Sequence, residues 1–393
     1  MDYSKQYDVV VVGGGIAGVA AALAAARQGK RTALLEKTVL LGGLATTGLV
    51  YVYLPLCDGK GTQVTFGIGE ELLKLSLKYG PGDIPDNWTA GKSMAGSGRY
   101  LCYFSPAALI LALDEALEEA GVDIWLDTLV CGVESDCESR VTAIHVENKS
   151  GRGYIQAKCF VDASGDAEVA RRAGAPFEIG DNYLSMWALQ YNVNSKGREL
   201  SEHIEMFIDG CPPDGRPGMR PRNGLDGREV SDFMQEGRKL LREHYRREYA
   251  AGNVDRKSLY PLKLPAMPQF RKIAGIKGVK TLSDNQHATC FEDSVGLVAD
   301  WRKPGFVWEI PYGTLIPQKV TGVLAAGRCI SSFGDAWEVT RVIPAAALTG
   351  EVAGIAAALS IDHNVTPDLL NLKKLQHELL KAGFPLHLTD VDL

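Results

Sequence analysis

The stretch from residue 8 to 36 constrains this chain more than any other. A continuous apolar run at 9–12 meets three glycines, Gly13, Gly14 and Gly15. An alanine-rich segment follows at 16–28, and a second apolar run, 32–35, ends at Glu36. Unbroken apolar runs suit parallel strands covered on both faces. The alanine-rich segment is helix-permissive, with Gly29 as its C-cap. The order predicted is therefore strand, tight turn, helix, strand. Gly13-x-Gly15-x-x-Gly18 falls where the first strand hands over to the helix. Gly13 permits the turn, Gly15 lets a pyrophosphate approach the backbone, and Gly18 lets helix and strand pack closely. Ile16 and Ala17 open a helix whose free N–H groups face phosphate charge, and Glu36 is placed to hold ribose hydroxyls. Ala22 and Gly29 extend the spacing beyond the bare motif, so the stretch predicts dinucleotide binding.

The remaining 357 residues beyond Glu36, of 393 in all, leave room for two or three lobes. Ser105 and Pro106 read as N-cap and first residue of a helix through about Glu119, with Leu109, Leu113 and Leu117 on its dry face. Segments 123–133 and 141–147 alternate like strands, and 159–163 reads as a short buried strand. Between 194 and 268 the texture changes to a proline-rich loop and a charged helix at 237–249, an inserted region. Buried βα texture returns at 320–359, where a strand stops at Gly327 and Arg328 and a helix starts at Pro344. Lys and Arg number 42 against 48 Asp and Glu, a net charge of -6, with 46% hydrophobic residues. That profile is globular and argues against disorder and a nucleic-acid footprint. Eight cysteines without a C-x-x-C pair predict neither a zinc cage nor a redox motif and read as reduced thiols of a cytoplasmic protein. No signal-peptide h-region precedes the first strand, and the apolar stretches 16–26 and 342–359 fall short of about 18 uninterrupted residues, so no membrane span is expected. No metal site is predicted, and G-x-S-x-G is absent from any strand-to-helix turn.

A second glycine loop, Gly42-Gly43-Leu44 with Thr46, follows Glu36 and Lys37, and a plain NAD domain does not require it. This pair resembles the second glycine signature of FAD-dependent oxidoreductases of the glutathione-reductase-like superfamily, in particular the fumarate reductase and succinate dehydrogenase flavoprotein branch. The segment Ala163-Ser164-Gly165-Asp166 is similar to the element those flavoproteins place near FAD. Gly327 and Arg328, with the helix from Pro344, resemble their C-terminal flavin-contacting segment. The resemblance implies FAD as cofactor, with Val130 also among its neighbours and the N–H groups of Ala345 and Ala346 facing the flavin ring. Such a helix start stabilises negative charge on a reduced flavin.

The fold class expected is α/β: a discontinuous Rossmann-like FAD-binding domain with a parallel sheet (1–47, 122–178 and 318–365), an inserted α+β substrate domain (48–121 and 179–317), and a C-terminal helix and tail (366–393). The function expected is hydride movement between a small organic substrate and flavin N5, in the cleft between the domains, with an external electron acceptor or donor. The oligomeric state is left open. Three side chains are candidates for catalysis. Arg341 could anchor a carboxylate or shuttle a proton, against an equal reading as an ion-pair residue. His287 lies in a loop-like stretch and has a suitable unperturbed pKa. Cys57 follows the second glycine loop, against a reading as a buried packing thiol. An oxygen-using flavin oxidase or monooxygenase is the nearest alternative, and a non-catalytic flavin-binding sensor or assembly subunit is one of another class.

Overall fold

The computed structural model describes residues 6–82, 102–196, 200–210, 212 and 215–393. The extreme amino-terminal residues and part of the proline-rich loop, Pro213 and Asp214, lie outside the described residues. Strand β1 (Tyr7–Val12), helix α1 (Ile16–Arg27) and strand β2 (Thr32–Leu35) follow one another in the order that the glycine spacing predicts. Helix α2 (Pro106–Glu119) starts where Ser105 accepts the Ala108 N–H. The alternating stretch near 123 is two strands, β3 (Asp123–Trp125) and β4 (Leu129–Ser135), because Asp127 takes a left-handed turn at φ 48° between them. Strands β5 (Val141–Asn148) and β6 (Gly151–Asp162) form a hairpin, and β7 (Val323–Ala325) completes the sheet.

Strand β6 makes two kinds of pairing. Its first half runs antiparallel to β5, and its second half runs parallel to β1 and β7. Val12 lies opposite both Leu35 and Asp162, and Asp162 lies opposite Ala325. Trp125 of β3 lies opposite Leu35 as well, so five parallel strands end in one row and the loops that follow them collect along a single edge. Ligands of open parallel sheets bind outside this carboxyl edge.

Helix α3 (Ile343–Asp362) packs across α1 at backbone contact. A Cβ on Gly350 would stand 2.2 Å from the Ala17 carbonyl oxygen, and one on Gly354 2.3 Å from that of Ala21. Small residues thus set the approach of the two helices. Among the described residues α3 is the one helix long and apolar enough to cross a membrane, and 83% of that apolar window is buried inside the protein. Its length and composition here serve a core position between α1 and the rest of the fold.

The inserted region carries its own antiparallel sheet. Met186–Asn192 lies between Ile204–Asp209 and Leu259–Lys263. The charged helix is longer than its charge pattern suggests, Gly227–Ala251, because Asp226 caps it by accepting the Glu229 N–H. Phe233, Gly237, Leu241 and Tyr245 form its buried stripe, and the remaining charged face is wet. The architecture is mixed α/β with a parallel-rich sheet and a second, α+β region.

Candidate functional site

Each loop at the carboxyl edge is shaped by a backbone requirement. Gly13 turns out of β1 at φ 101°, and a Cβ there would stand 2.5 Å from the Ala163 carbonyl oxygen. Gly18 backs onto the turn, where a Cβ would collide with the Gly13 carbonyl. Gly15 is different: its φ of -70° suits any residue, and the nearest heavy atom to its Cβ position is the Gly43 Cα at 4.0 Å. The absence of a side chain at Gly15 therefore keeps a channel open. The two glycine loops are tied together by a 2.7 Å bond from the Gly42 N–H to the Gly14 carbonyl. Gly42 takes a left-handed conformation at φ 97°, and the buried Thr46 fills the space beneath it while its hydroxyl donates to the Leu41 carbonyl.

Glu36 is 7% exposed. One carboxylate oxygen accepts the Gly14 N–H and the other the Thr38 N–H, both at 2.8 Å. These bonds fix the carboxylate at the mouth of the first glycine turn and leave further lone pairs for hydroxyl donors. Asp162, fully buried at the end of β6, organises the third loop by accepting N–H groups of Ser164, Val169 and Ala170 and the Ser164 hydroxyl. Burial raises its pKa, against the lowering effect of those donors. In the fourth loop, Gly327 sits at φ 73° with its N–H on the Thr349 hydroxyl of α3. Arg328 donates to the Gly165 and Phe270 carbonyls and forms a buried ion pair with Asp166 at 2.7 Å. One guanidinium thus joins three separate segments.

These loops line an open cleft whose empty space, counted out into the solvent at its mouth, is about 770 Å³. Gly13, Gly15, Ile16, Ala17, Glu36, Lys37, Gly42, Gly43, Leu44, Ala163, Ser164, Gly165, Gly327, Arg328, Arg341 and Ala346 all line it. Gly18, Thr46 and Asp166 support its walls from behind. Val130 lies buried on β4, just beyond Thr128, whose N–H bonds the Glu36 carbonyl. The expectation for α3 needs a correction. The helix begins at Ile343, one residue earlier than Pro344, so Ala346 stands in its fourth position and its N–H already bonds the Val342 carbonyl at 2.8 Å. Ala345 keeps a third-position N–H but is buried away from the cleft lining.

Two catalytic candidates lie elsewhere. His287 packs its ring 4.2 Å from that of Phe306 and does not line the cleft. Cys57 is 1% exposed, and burial, with Asp58 and Glu70 nearby, pushes its thiol up to about 12. A thiol so held stays protonated and unreactive near neutral pH.

One wall of the cleft comes from a segment that the sequence does not mark as a site. Met267 lines the cleft, held there by the Ala266 N–H on the Thr47 carbonyl. Just beyond, Arg271 lies over the Trp187 ring at 4.9 Å, and Lys272 and Arg341 share the single carboxylate of Glu338. Burial favours the neutral form of Glu338, but Arg341 and Lys272 outweigh it and hold the carboxyl below its usual range. Burial, then repulsion from Arg341 and Arg328, lowers the pKa of Arg271. Only the flanking Pro265 and Pro268 and the Arg271-Lys272 pair mark this segment in the sequence, and neither feature specifies a site.

The fold and cleft define a dinucleotide-binding oxidoreductase. The chain belongs to the FAD-dependent oxidoreductase family, whose pattern matches residues 8–205 and 283–379, and FAD is the cofactor of this enzyme. Among curated relatives, it is 27% identical over 190 residues to a digeranylgeranylglycerophospholipid reductase of Methanoculleus marisnigri, covering 43% of this chain and 42% of that protein. A protein of the same name from Picrophilus torridus is 25% identical over 215 residues, covering 53% and 52%. The chain thus spans about half the length of these relatives or less. Among solved structures it resembles p-nitrophenol 4-monooxygenase PnpA from Pseudomonas putida, with a TM-score of 0.51 at 13% identity, covering 97% of this chain and 88% of that one. BexE, studied for oxidation during BE-7585A biosynthesis, gives 0.51 at 16% identity, covering 96% and 67%. Both likenesses concern the fold.

Proposed function

We propose that the enzyme moves a hydride between FAD and a small organic substrate carrying a negative charge, in the cleft between an FAD-binding unit (1–47, 122–178 and 318–365) and the inserted region. The flavin ring supplies the redox chemistry, accepting or giving the hydride at N5. Glu36, at the mouth of the first glycine turn, holds the ribose, and the open channel at Gly15 and Gly43 admits the pyrophosphate. Arg341, on the cleft wall beside Ile343 and Met267, orients the substrate.

The observation that carries the reading is a surplus of positive charge beside Arg341, which lines the cleft, with Arg271 and Lys272 behind it. Arg271, Lys272 and Arg341 gather around one carboxylate, Glu338, while Arg328 is already neutralised by Asp166. Arg271 is held by the Gln269 carbonyl and the Trp187 ring, and three cations share one carboxylate; incompletely neutralised buried charge is costly, and an incoming anion offsets that cost. A carboxylate on the substrate supplies it, with bidentate geometry that a guanidinium favours.

The test is a titration of the holoenzyme with a graded series of small mono- and dicarboxylates, using their methyl esters as uncharged controls and the flavin spectrum as readout. The acids are expected to give saturable shifts and the esters none. Arg341→Met should retain FAD and weaken acid binding by about 10- to 100-fold, the loss of one charge-assisted hydrogen bond. Equal responses to acids and esters would remove the anionic-substrate assignment. Anaerobic bleaching by a substrate supports hydride transfer, whereas oxygen consumption with a hydroxylated product would assign the monooxygenase alternative.

A further inference from the structure

Away from the cleft, three segments distant in sequence meet at Cys290, Glu309 and His387. Cys290 precedes the strand Ser294–Ala299, Glu309 lies in the paired strand Val307–Pro311, and His387 belongs to the C-terminal tail. The Cys290 Sγ lies 3.6 Å from the His387 Nδ1, and that nitrogen lies 3.2 and 3.3 Å from the two Glu309 oxygens. One potential ligand atom from each residue falls within 4.8 Å of the others.

Two features separate this cluster from a chance surface grouping. The first is metric. Zinc bonds of about 2.3 Å to sulfur and 2.0–2.1 Å to nitrogen or oxygen, at a tetrahedral angle, place sulfur and nitrogen about 3.6 Å apart and nitrogen and oxygen about 3.3 Å apart. The observed separations are 3.6 Å and 3.2 Å. The second is support from behind the cluster. Glu309 is fully buried, and its two oxygens accept the Phe291 N–H at 2.8 Å and the Leu388 N–H at 3.1 Å. The His387 backbone N–H is held by Asp390 at 2.9 Å. Metal ligands are commonly oriented by outer hydrogen bonds of this kind.

We propose that Cys290, Glu309 and His387 bind a zinc-class divalent cation, with water in the fourth position. Binding forms Zn–S, Zn–N and Zn–O bonds, and the thiol proton leaves to solvent. Cys290 is exposed and His387 partly so, which gives the ion an entry path. Glu292 and Asp390 add negative charge around the thiol. None of these residues lines the FAD cleft. The role is to pin the tail, which already rests on the same sheet through the Ser294 hydroxyl on the Leu386 carbonyl. His387 thus becomes a tether between the last residues and the strands beneath α3.

The experiment uses EDTA-treated holoenzyme titrated calorimetrically with zinc chloride, followed by zinc X-ray absorption on the 1:1 sample. One zinc per chain is expected, with one sulfur neighbour at about 2.3 Å. Cys290→Ser and His387→Ala should each weaken binding by more than about 100-fold, beyond what loss of an outer-shell partner produces. Both should retain wild-type FAD content, which reports that the fold is intact. Cys137→Ser, at an exposed cysteine elsewhere, should bind zinc as the parent does. Zinc binding that survives both ligand substitutions, a spectrum without sulfur, or no stoichiometric binding would each overturn the proposal.

Discussion

Gly350→Ala is expected to destabilise the protein by at least about 3 kcal/mol and to release FAD, although it adds one methyl group to a helix. Alanine is normally the better helix residue by about 1 kcal/mol. Here the added Cβ would stand 2.2 Å from the Ala17 carbonyl oxygen and 2.9 Å from two further backbone atoms of that residue. No rotamer relieves a clash between Cβ and backbone, so α1 and α3 must separate. Overpacking costs typically about 1–3 kcal/mol, and more where backbone must move. Both helices border the cleft, α1 through Ile16 and Ala17 and α3 through Ile343 and Ala346, so their separation opens the site. Thermal melts of Gly350→Ala and Gly350→Val should show similar losses, because the first methyl already does the damage. Gly227→Ala, at the exposed start of the charged helix where nothing lies within 4 Å of a Cβ, should melt as the parent does. A Gly350→Ala protein with parental stability would show that the two helices do not pack at backbone contact.

Arg328→Met should cost about 3–5 kcal/mol, the penalty for breaking a buried ion pair from one side. The Arg328 side chain is 9% exposed, and its loss strands the Asp166 carboxylate and frees the Gly165 and Phe270 carbonyls. The ledger of the pair predicts a distinctive recovery. In Arg328→Met combined with Asp166→Asn no uncompensated charge remains, so part of the stability should return, since apolar or neutral replacement of a whole buried pair is often nearly neutral. FAD affinity should remain weakened in both proteins, because the cross-link between the third loop, the fourth loop and the 265–271 segment is gone. Denaturant melts of the two variants and the parent check this. If the double variant is less stable than Arg328→Met, the ion pair is not the element that holds these segments.

How far the sequence could be read depended on whether the constraint was local. The first βαβ unit was legible because a left-handed residue, a close approach and a strand pair each demand glycine or apolar residues at fixed offsets, as Gly13 and Gly18 show. The start of α3 was displaced by one residue because proline is accepted at the first or the second helical position, and only the hydrogen-bond ladder distinguishes them. The break at Asp127 left no mark in the alternation of 123–133, since the turn there uses a non-glycine left-handed residue. Met267 reaches the cleft wall, with Arg271 and Lys272 behind it beside Glu338, through bonds such as Gln269 Nε2 to the Gly48 carbonyl, across 221 residues. Spacing along the chain carries no signal for such contacts. The same reason explains why His287 and Cys57, attractive as residue types, stand away from the cleft, while Cys290, Glu309 and His387 converge unannounced.

The central claim is that FAD lies in this cleft with its pyrophosphate in the channel left open by Gly15. The most direct measurement is the FAD content and visible spectrum of the wild-type protein and of Gly15→Val, each reconstituted with excess FAD and freed of unbound cofactor. Valine at position 15 meets no heavy atom closer than 4.0 Å at its Cβ and suits the extended backbone there, so the variant should fold and melt close to the parent. Wild-type protein should hold one FAD per chain and show flavin absorbance, while folded Gly15→Val should be nearly colourless. Colourless wild-type protein, or a Gly15→Val protein that binds FAD as tightly as the parent, would contradict the account.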